Sequence, residues 1–400
     1  MPWVLRMTLL LLGLLLLIYI YLSSKISFAL RQLGFNHLKF LPLFILIYFL
    51  SYPLIGLFGF LLGSQAIIST FRFGNKIFDV TFTYPFWVGL VFALQTFFPF
   101  LLIDIARLIL KSTTLALNQA RLNIIFPLLI ILIAVVNLIY AGVKTYIDTN
   151  KINISRATLK VDNLPGSLNG FKIVHISDIQ ADERTGREKI GRYINIVNSL
   201  EPDIVIFTGD IVTYGTKHIP LAVEMISKVN SKFGLYSCIG DHDYWAGVEN
   251  INTEMAKYGL KLFDNENVKL KIDGATLGLT LITNIYSKRP QTDILENLAS
   301  SNDADIKIFV THQPSEFLVN FAKERNYKLF LSGHTHGGQV VISLFGFEII
   351  PSRIETKFVS GFYDLGSILV SVNRGLGFTA APIRFNAPAE VTLIKLVPGS

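Results

Sequence analysis

The sequence predicts an all-α membrane-spanning bundle over residues 1–150, followed by an α/β domain over residues 151–400. Three observations predict it. Four long apolar runs crowd into the first part. Beyond them, β-rich segments alternate with segments of helical spacing. Those β-rich segments end, one after another, in Asp, His or Gly-Asp.

The apolar runs come first along the chain. Of the 400 residues, 51% are hydrophobic and 16% charged, with a mean hydropathy of +0.48; an ordinary soluble protein carries roughly 25% charge. The excess sits in residues 3–22, 40–63, 83–106 and 123–146. Each matches the about 20 apolar residues that cross a bilayer, and aromatics cluster near several ends as interfacial belts do. The first run is not read as a signal peptide, because no small-residue cleavage site follows it and three more spans do. Asp104 is the only acid set within these spans, so they carry no buried charge series of the kind a transport pathway needs. An anchor is the expected role.

Orientation follows from the basic residues. Lys25, Arg31 and Lys39 lie between runs one and two, and Arg107, Lys111 and Arg121 between runs three and four. The opposite side has Arg6, Arg72, Lys76, Lys144 and Lys151. Positive residues favour the cytoplasm, which places the second part outside the bacterial cytoplasmic membrane. The single Cys238 permits no internal disulfide. The net charge of +7 suits anionic lipid. No basic run with interleaved aromatics points to nucleic acid. Oligomeric state is not legible.

The second part, about 250 residues, is long enough for one large core. KINISRATLKVDNLPGSLNG (151–170) reads as a strand and a turn at Pro165–Gly166. FKIVHISDI (171–179) is β-rich. Ile190, Tyr193, Ile194, Val197 and Leu200 mark a helix over 186–200. EPDIVIFTGDIV (201–212) is a buried strand, 219–230 a helix, and LYSCIGDHDYW (235–245) a strand running into acids. The pattern repeats at 276–285, 305–314 and 328–338, with helices expected over 290–300 and 315–325. Such alternation implies a layered α/β fold with helices outside the sheet.

Ligands in open α/β sheets bind beyond the carboxyl ends of the strands. SDIQ, GDIV, GDHD, THQP and GHTH should therefore converge at one edge. They offer Asp178, Gln180, Asp210, Asp241, His312, His334 and His336. Carboxylates, imidazoles and an amide oxygen suit divalent Mn, Fe, Zn or Mg. Seven donors are more than one ion takes from a protein, whereas two ions about 3.5–4 Å apart sharing a carboxylate would use them well. Such a pair hydrolyses phosphate esters. His242, beside a ligand, is placed to protonate the leaving group, and Asp243 to orient it. Each element alone is an ordinary turn, cap or packing residue. His175 and His218 are read that way and left out. Five motifs at successive strand ends are not.

These residues resemble the calcineurin-like metallophosphoesterases, and within them the bacterial membrane-associated, YkuE- and YaeI-like branch. The resemblance covers about 155–397, from LPGSLNGFKIVHISDIQ through GDHDYW and GHTHGGQV to VNRGLG…PIRF. It implies a pair of facing mixed β-sheets flanked by helices. It implies that Asp178, Gln180 and His336 serve one ion, that Asp210 bridges, and that Asp241, His312 and His334 serve the other. His242 would be the catalytic histidine, and manganese the expected metal.

Two positions depart from the family pattern. Gln180 stands where His is usual, and Asp241 where Asn is usual. Both shift the site towards harder metals. Arg374 in NRGLG is a candidate for meeting a phosphate, with pairing to a core-edge carboxylate as the competing role. Phe378 is read as core rather than as a lipid contact. Three functions stay open: a membrane-anchored phosphodiesterase or pyrophosphatase acting on a lipid-linked substrate such as UDP-2,3-diacylglucosamine, which the branch implies; a manganese-dependent nucleotide diphosphatase, suggested by Gln180; and a non-catalytic sensor or scaffold with a degenerate metal site.

Overall fold

The computed structural model describes residues 3–67, 70, 74–112 and 119–399. Arg72, used above for orientation, lies outside them. The chain divides into two compact units, Met1–Ile147 with Ile342–Glu348, and Asp148–Val341 with Ile349–Ser400.

The first unit is helical. Helices α1 (Trp3–Gln32), α2 (Leu41–Leu61), α3 (Tyr84–Ser112) and α4 (Gln119–Asn150) contain the four apolar runs almost entirely. All four are long and apolar enough to cross a membrane. A helix satisfies every backbone group internally, which a lipid interior demands, and that context tolerates Pro53, Pro99 and Pro127 inside helices. Large apolar side chains such as Leu17, Phe44, Leu108 and Leu132 face outward, the reverse of a soluble bundle. Helix α3 packs on α1 and α2. At Gly89 the backbone comes so close to Phe49 that an added Cβ would lie 2.5 Å from its ring, the small-residue contact typical of membrane helices. Asp104 is paired: Lys25 Nζ lies 2.6 Å from one oxygen, and Tyr21 donates to the other at 2.7 Å.

The second unit is a sandwich of two six-stranded sheets. Its elements are β1 (Ile152–Val161), β2 (Lys172–Ile176), α5 (Arg187–Ser199), β3 (Ile204–Phe207), α6 (Ile219–Ile226), β4 (Leu235–Cys238), α7 (Asp241–Ala246), α8 (Val248–Ala256), β5 (Leu262–Phe263), β6 (Glu266–Ile272), β7 (Ala275–Ile282), α9 (Thr292–Ser301), β8 (Ile306–Thr311), α10 (Glu316–Glu324) and β9 (Leu329–Ser332). A short separate hairpin, β10 (Ile342–Leu344) and β11 (Phe347–Ile349), falls almost wholly in the segment grouped with the first unit, and β12 (Gly361–Asp364), β13 (Leu369–Val372) and β14 (Ala389–Pro398) complete the second.

One sheet runs β1-β14-β2-β3-β4-β5, the other β12-β13-β9-β8-β7-β6. Both are mixed. β14 is parallel to β1 and antiparallel to β2, while β2 to β5 are parallel. β7, β8, β9 and β13 are parallel, with β6 and β12 antiparallel at the edges. The sheets face each other across Ile173, Ile204, Ile206 and Cys238 on one side and Leu277, Leu279, Ile308 and Leu329 on the other. All eight are fully buried, or nearly so, each worth roughly 1.5–3 kcal/mol if of Leu or Ile size. Helices α5, α6 and α8 cover the outer face of the first sheet, and α9 and α10 that of the second. The expected layers are therefore present, but as two sheets rather than one. Strand periodicity is blind to which sheet a strand joins. Burial pushes the Cys238 thiol up, so it behaves as a small apolar side chain.

The segment GDHDYW is helical from Asp241 rather than a continued strand. Gly240 is its N-cap, and the acids of its first turn sit at the positive end of the helix.

Candidate metal centre

All five strand-end motifs reach the same place. Three follow β2, β3 and β4 of the first sheet, and two follow β8 and β9 of the second. The loops are locked by backbone bonds that extend the ladder beyond the strands: Asp178 N donates to Gly209 O at 2.9 Å, and Gln180 N to Asp210 O at 3.0 Å. Five of the seven sequence-predicted ligands, Asp178, Gln180, Asp210, His334 and His336, have left-handed backbones with φ between 49° and 68°. That region is uncommon for residues other than glycine, and residues held in such conformations cluster at functional sites.

Donor atoms of Asp178, Asp210 and His312 lie within 4.8 Å of one another, as do those of Asp241, His312 and His334. His312 is shared between the two groups. Its Nδ1 is 2.6 Å from Thr208 O, a pure acceptor, so Nδ1 carries the proton and Nε2 is the donor atom. Nε2 lies 3.3 Å from Asp210 and 3.5 Å from Asp241. His334 Nδ1 lies 3.0 Å from Asp241 Oδ2, and His336 Nε2 3.3 Å from Asp178 Oδ1. Gln180 donates Nε2 to Asp210 Oδ2 at 2.7 Å.

Whether cations fit can be read from what is left over. Asp178 Oδ1, Gln180 Oε1, Asp241 Oδ2 and His336 Nδ1 are buried without a hydrogen-bond partner. Buried polar atoms are almost always paired, and these four belong to residues that the strand ends bring together. Protonation tells the same story. Burial disfavours the His312 imidazolium, yet Asp210, Asp178 and Asp241 raise its pKa well above the ordinary value. Burial likewise favours neutral Asp178, yet His336 and His312 hold it well below the usual carboxylate range. Burial keeps His336 below the ordinary imidazole value, so its neutral form can offer a lone pair, and the donor set fits divalent cations.

Gln180 thus keeps a buried oxygen for a ligand, although the amide nitrogen is spent on Asp210. At the other departure, Asp241 Oδ1 accepts the Tyr286 N–H at 2.7 Å while Oδ2 faces the two histidines. Both positions require an acceptor, and an Asn supplies one oxygen only.

His242 borders this cluster. Its backbone N–H donates to Asp210 Oδ1 at 2.9 Å, and its ring Nδ1 is 2.5 Å from Thr213 O. That carbonyl fixes the proton on Nδ1 and leaves Nε2 without a hydrogen bond among the described residues. Asp243, expected to orient the ring, does not. Its carboxylate accepts the backbone N–H groups of Asp210, Ile211 and Gly240 at 2.8, 2.8 and 3.0 Å. It braces the loop that carries Asp210, and burial with the nearby Asp210 charge pushes its pKa up to about 6.

The pattern of the calcineurin-like phosphoesterase family matches residues 171–338. An uncharacterized metallophosphoesterase of Bacillus subtilis, YkuE, is 31% identical over 263 residues, covering 64% of this chain and 89% of its own length. The chain belongs to the calcineurin-like metallophosphoesterases. It is a phosphoester hydrolase by family. An uncharacterized metallophosphoesterase of Campylobacter jejuni is 30% identical over 280 residues, 69% of this chain and 70% of its own. A Danio rerio transmembrane protein with metallophosphoesterase domain is 26% identical over 335 residues, 78% of this chain and 75% of its own.

Several residues of this metallophosphoesterase escaped the sequence reading. Glu355 Oε2 lies 3.2 Å from His334 Nε2, the nitrogen facing away from the cluster, which is how a carboxylate orients a ligating histidine. Gln313 Nε2 and Tyr286 Oη approach the same nitrogen at 3.1 and 3.3 Å. Glu355 has no motif or periodic pattern to flag it. Arg384, in the quoted PIRF stretch, is fully buried and donates to the carbonyls of Arg374, Gly375, Gly377 and Ala387. Burial lowers its pKa to about 10, so it remains a cation that pins the NRGLG loop. That loop is tight against the site: a Cβ on Gly375, at φ +70°, would lie 2.7 Å from Asp178 Cβ. Arg374 lays its stem along Gly337, next to His336, and its guanidinium has no hydrogen bond or ion pair among the described residues. It does not take the carboxylate partner that was its competing role. Phe378 is buried, as expected. His175 lies in the sandwich, and His218 lies beside Glu183.

Proposed function

We propose that this metallophosphoesterase is a multi-pass enzyme of the bacterial cytoplasmic membrane that cleaves a phosphodiester or pyrophosphate bond using two divalent cations, manganese first among them. Its four helices act as the anchor and its catalytic unit faces away from the cytoplasm. Its substrate is lipid-linked, of the UDP-2,3-diacylglucosamine kind, since an anchored enzyme meets such molecules at high local concentration.

The observation that carries the reading is the set of orphaned donors, Asp178 Oδ1, Gln180 Oε1 and Asp241 Oδ2, converging beside His242. Cations held by Asp178, Gln180, Asp210, Asp241, His312, His334 and His336 would supply Lewis acidity for a phosphoryl oxygen and lower the pKa of the attacking water. The water, its proton released to solvent, would add through oxygen to phosphorus as the bond to the leaving oxygen breaks. His242, with Nδ1 held on Thr213 O, would donate a proton from Nε2 to that oxygen. Arg374 contributes positive charge for a phosphate oxygen. A scaffold needs none of this, least of all a histidine beside the cluster whose Nδ1 is tied to a carbonyl and whose Nε2 is left unengaged.

The test is hydrolysis of bis(p-nitrophenyl) phosphate by the detergent-solubilised chain with Mn, Mg, Zn or no metal, beside Asp210→Ala. Metal-dependent turnover abolished in the variant is expected. Folded protein inactive with every ion, and equally inactive on a lipid-linked pyrophosphate, would return the chain to the scaffold reading.

A further inference from the structure

The rim around His242 is aromatic. Tyr214 and Trp245 both meet its imidazole edge-on, at centroid distances of 5.7 and 5.1 Å and interplanar angles of 66°. Trp245 is 56% exposed and Tyr214 37%, so large parts of both rings face solvent. The indole is nevertheless held, because Nε1 donates to Ser287 Oγ at 3.2 Å. The next residue back, Tyr286, is 49% exposed and meets the His334 ring at 5.1 Å. Three exposed rings therefore line one edge of the site, from His242 to His334.

Exposed aromatics scattered singly need no explanation. Rings in contact with the two histidines that border a reaction centre are different. They keep apolar faces in water where a substrate must arrive. A histidine that hands its proton to the leaving oxygen lies against the leaving group, and so do the rings that touch it. The edge is interrupted by polar atoms, the indole N–H, Ser287 and the tyrosine hydroxyls. A flexible acyl chain wants an unbroken aliphatic trench, whereas a planar ring stacks on one aromatic face and tolerates polar groups at its margin.

We infer that Tyr214 and Trp245 form a recognition slot for a planar aromatic ring on the leaving group of the phosphate ester, an inference that rests on the proposed role of His242. The probes are phosphonates, which cannot be hydrolysed: benzylphosphonate, whose methylene replaces the ester oxygen, with hexylphosphonate and methylphosphonate as apolar and minimal controls. Calorimetry on the manganese-loaded full chain in detergent reads their affinities. Benzylphosphonate is expected to bind about tenfold more tightly than methylphosphonate, the scale of one aromatic stack, with hexylphosphonate near methyl. Trp245→Ala should cut benzyl affinity about tenfold and methyl affinity less than twofold, and Trp245→Phe should restore most of it. A uridine-bearing phosphonate that gains as much as benzyl extends the slot to nucleobases. A benzyl preference that survives Tyr214→Ala with Trp245→Ala, a hexyl probe that gains as much, or no binding of any probe overturns the inference. The two readings fail separately. A slot lost in Trp245→Ala in a chain without turnover sinks only the hydrolytic proposal, and active enzyme with unchanged preference sinks only the slot.

Discussion

Asp241 accepts the backbone N–H of Tyr286 on one carboxylate oxygen and turns the other towards His312 and His334. An asparagine here would either set its NH₂ against the Tyr286 N–H or turn it to the cations. Asp241→Asn is therefore expected to weaken binding of a second Mn²⁺ added as the probe ion by about tenfold or more, the scale of disturbing an oriented ligand. Titration followed by electron paramagnetic resonance measures it, and unchanged two-site stoichiometry and affinity would refute it.

Glu355, 3.2 Å from His334 Nε2, would act on an ion held by His334 by orienting that ring. Its side chain is exposed, so its removal should cost the fold little. Glu355→Ala should lower metal affinity roughly 10-fold while the thermal transition of the metal-free protein stays within about a degree of wild type. Glu355→Gln, which still accepts from Nε2, should recover part of the loss. Equal affinity in all three proteins would remove Glu355 from the site.

Gly333 leaves no room for a side chain. A methyl group there would overlap Ser177 Oγ and approach Asp178 Oδ2 to 2.5 Å. Overpacking of this kind costs about 1–3 kcal/mol. Gly333→Ala should lose that much stability and bind metal more weakly, because Asp178 must move. The lone thiol supplies the readout: Cys238 is fully buried, so pulsed alkylation reports opening of the sandwich alone. Wild-type labelling across the denaturant range would show that Gly333→Ala is accommodated without strain.

His175 carries a pH dependence. It is fully buried between the sheets, with Nε2 3.1 Å from Thr208 Oγ1 and Nδ1 3.5 Å from Ser371 Oγ. Burial, opposed by the Asp178 charge, lowers its pKa to about 3. The folded protein holds it neutral while the unfolded chain protonates it below about 6.5. Unfolding thus takes up a proton, and the stability present above pH 6.5 drains away as pH falls towards 3, at about 1.4 kcal/mol per unit. His175→Gln does not titrate. The stability difference between wild type and variant should shrink by about 2–3 kcal/mol from pH 7 to 4.5. A gap independent of pH would mean that His175 is not held neutral.

The sequence was most legible where local pattern decides structure. Four apolar runs became four helices, and the helices expected over 290–300 and 315–325 are Thr292–Ser301 and Glu316–Glu324. The strand-end motifs identified the residues that meet, because a parallel strand delivers whatever follows it to one edge. Tertiary contacts were invisible. The partner of the His242 ring is a carbonyl, that of Thr213, and any residue type offers one, so the nearest acid, Asp243, was the natural and mistaken choice. Glu355 and the Tyr286 N–H arrive from loops without periodicity. The left-handed backbones at Asp178, Gln180, Asp210, His334 and His336 leave no mark on composition.

The arrangement of β1 bears on how the protein is made. Its neighbour along the full length of the strand is β14, Ile152 opposite Ala389 and Val161 opposite Pro398, and β14 also closes the flank of β2. The ribosome delivers β1 directly after α4 but its partner only after every other strand of both sheets has been made. At about 5–20 residues per second, the nascent strand waits many seconds with an open hydrogen-bonding edge. Insertion of the helices and completion of the catalytic unit are thus separated in time, and the growing chain depends on chaperones or on its own early strands to keep that edge from pairing with a neighbour. A chain that stops before Ala389 has all four apolar helices but leaves the facing edges of β1 and β2 without the strand that joins them.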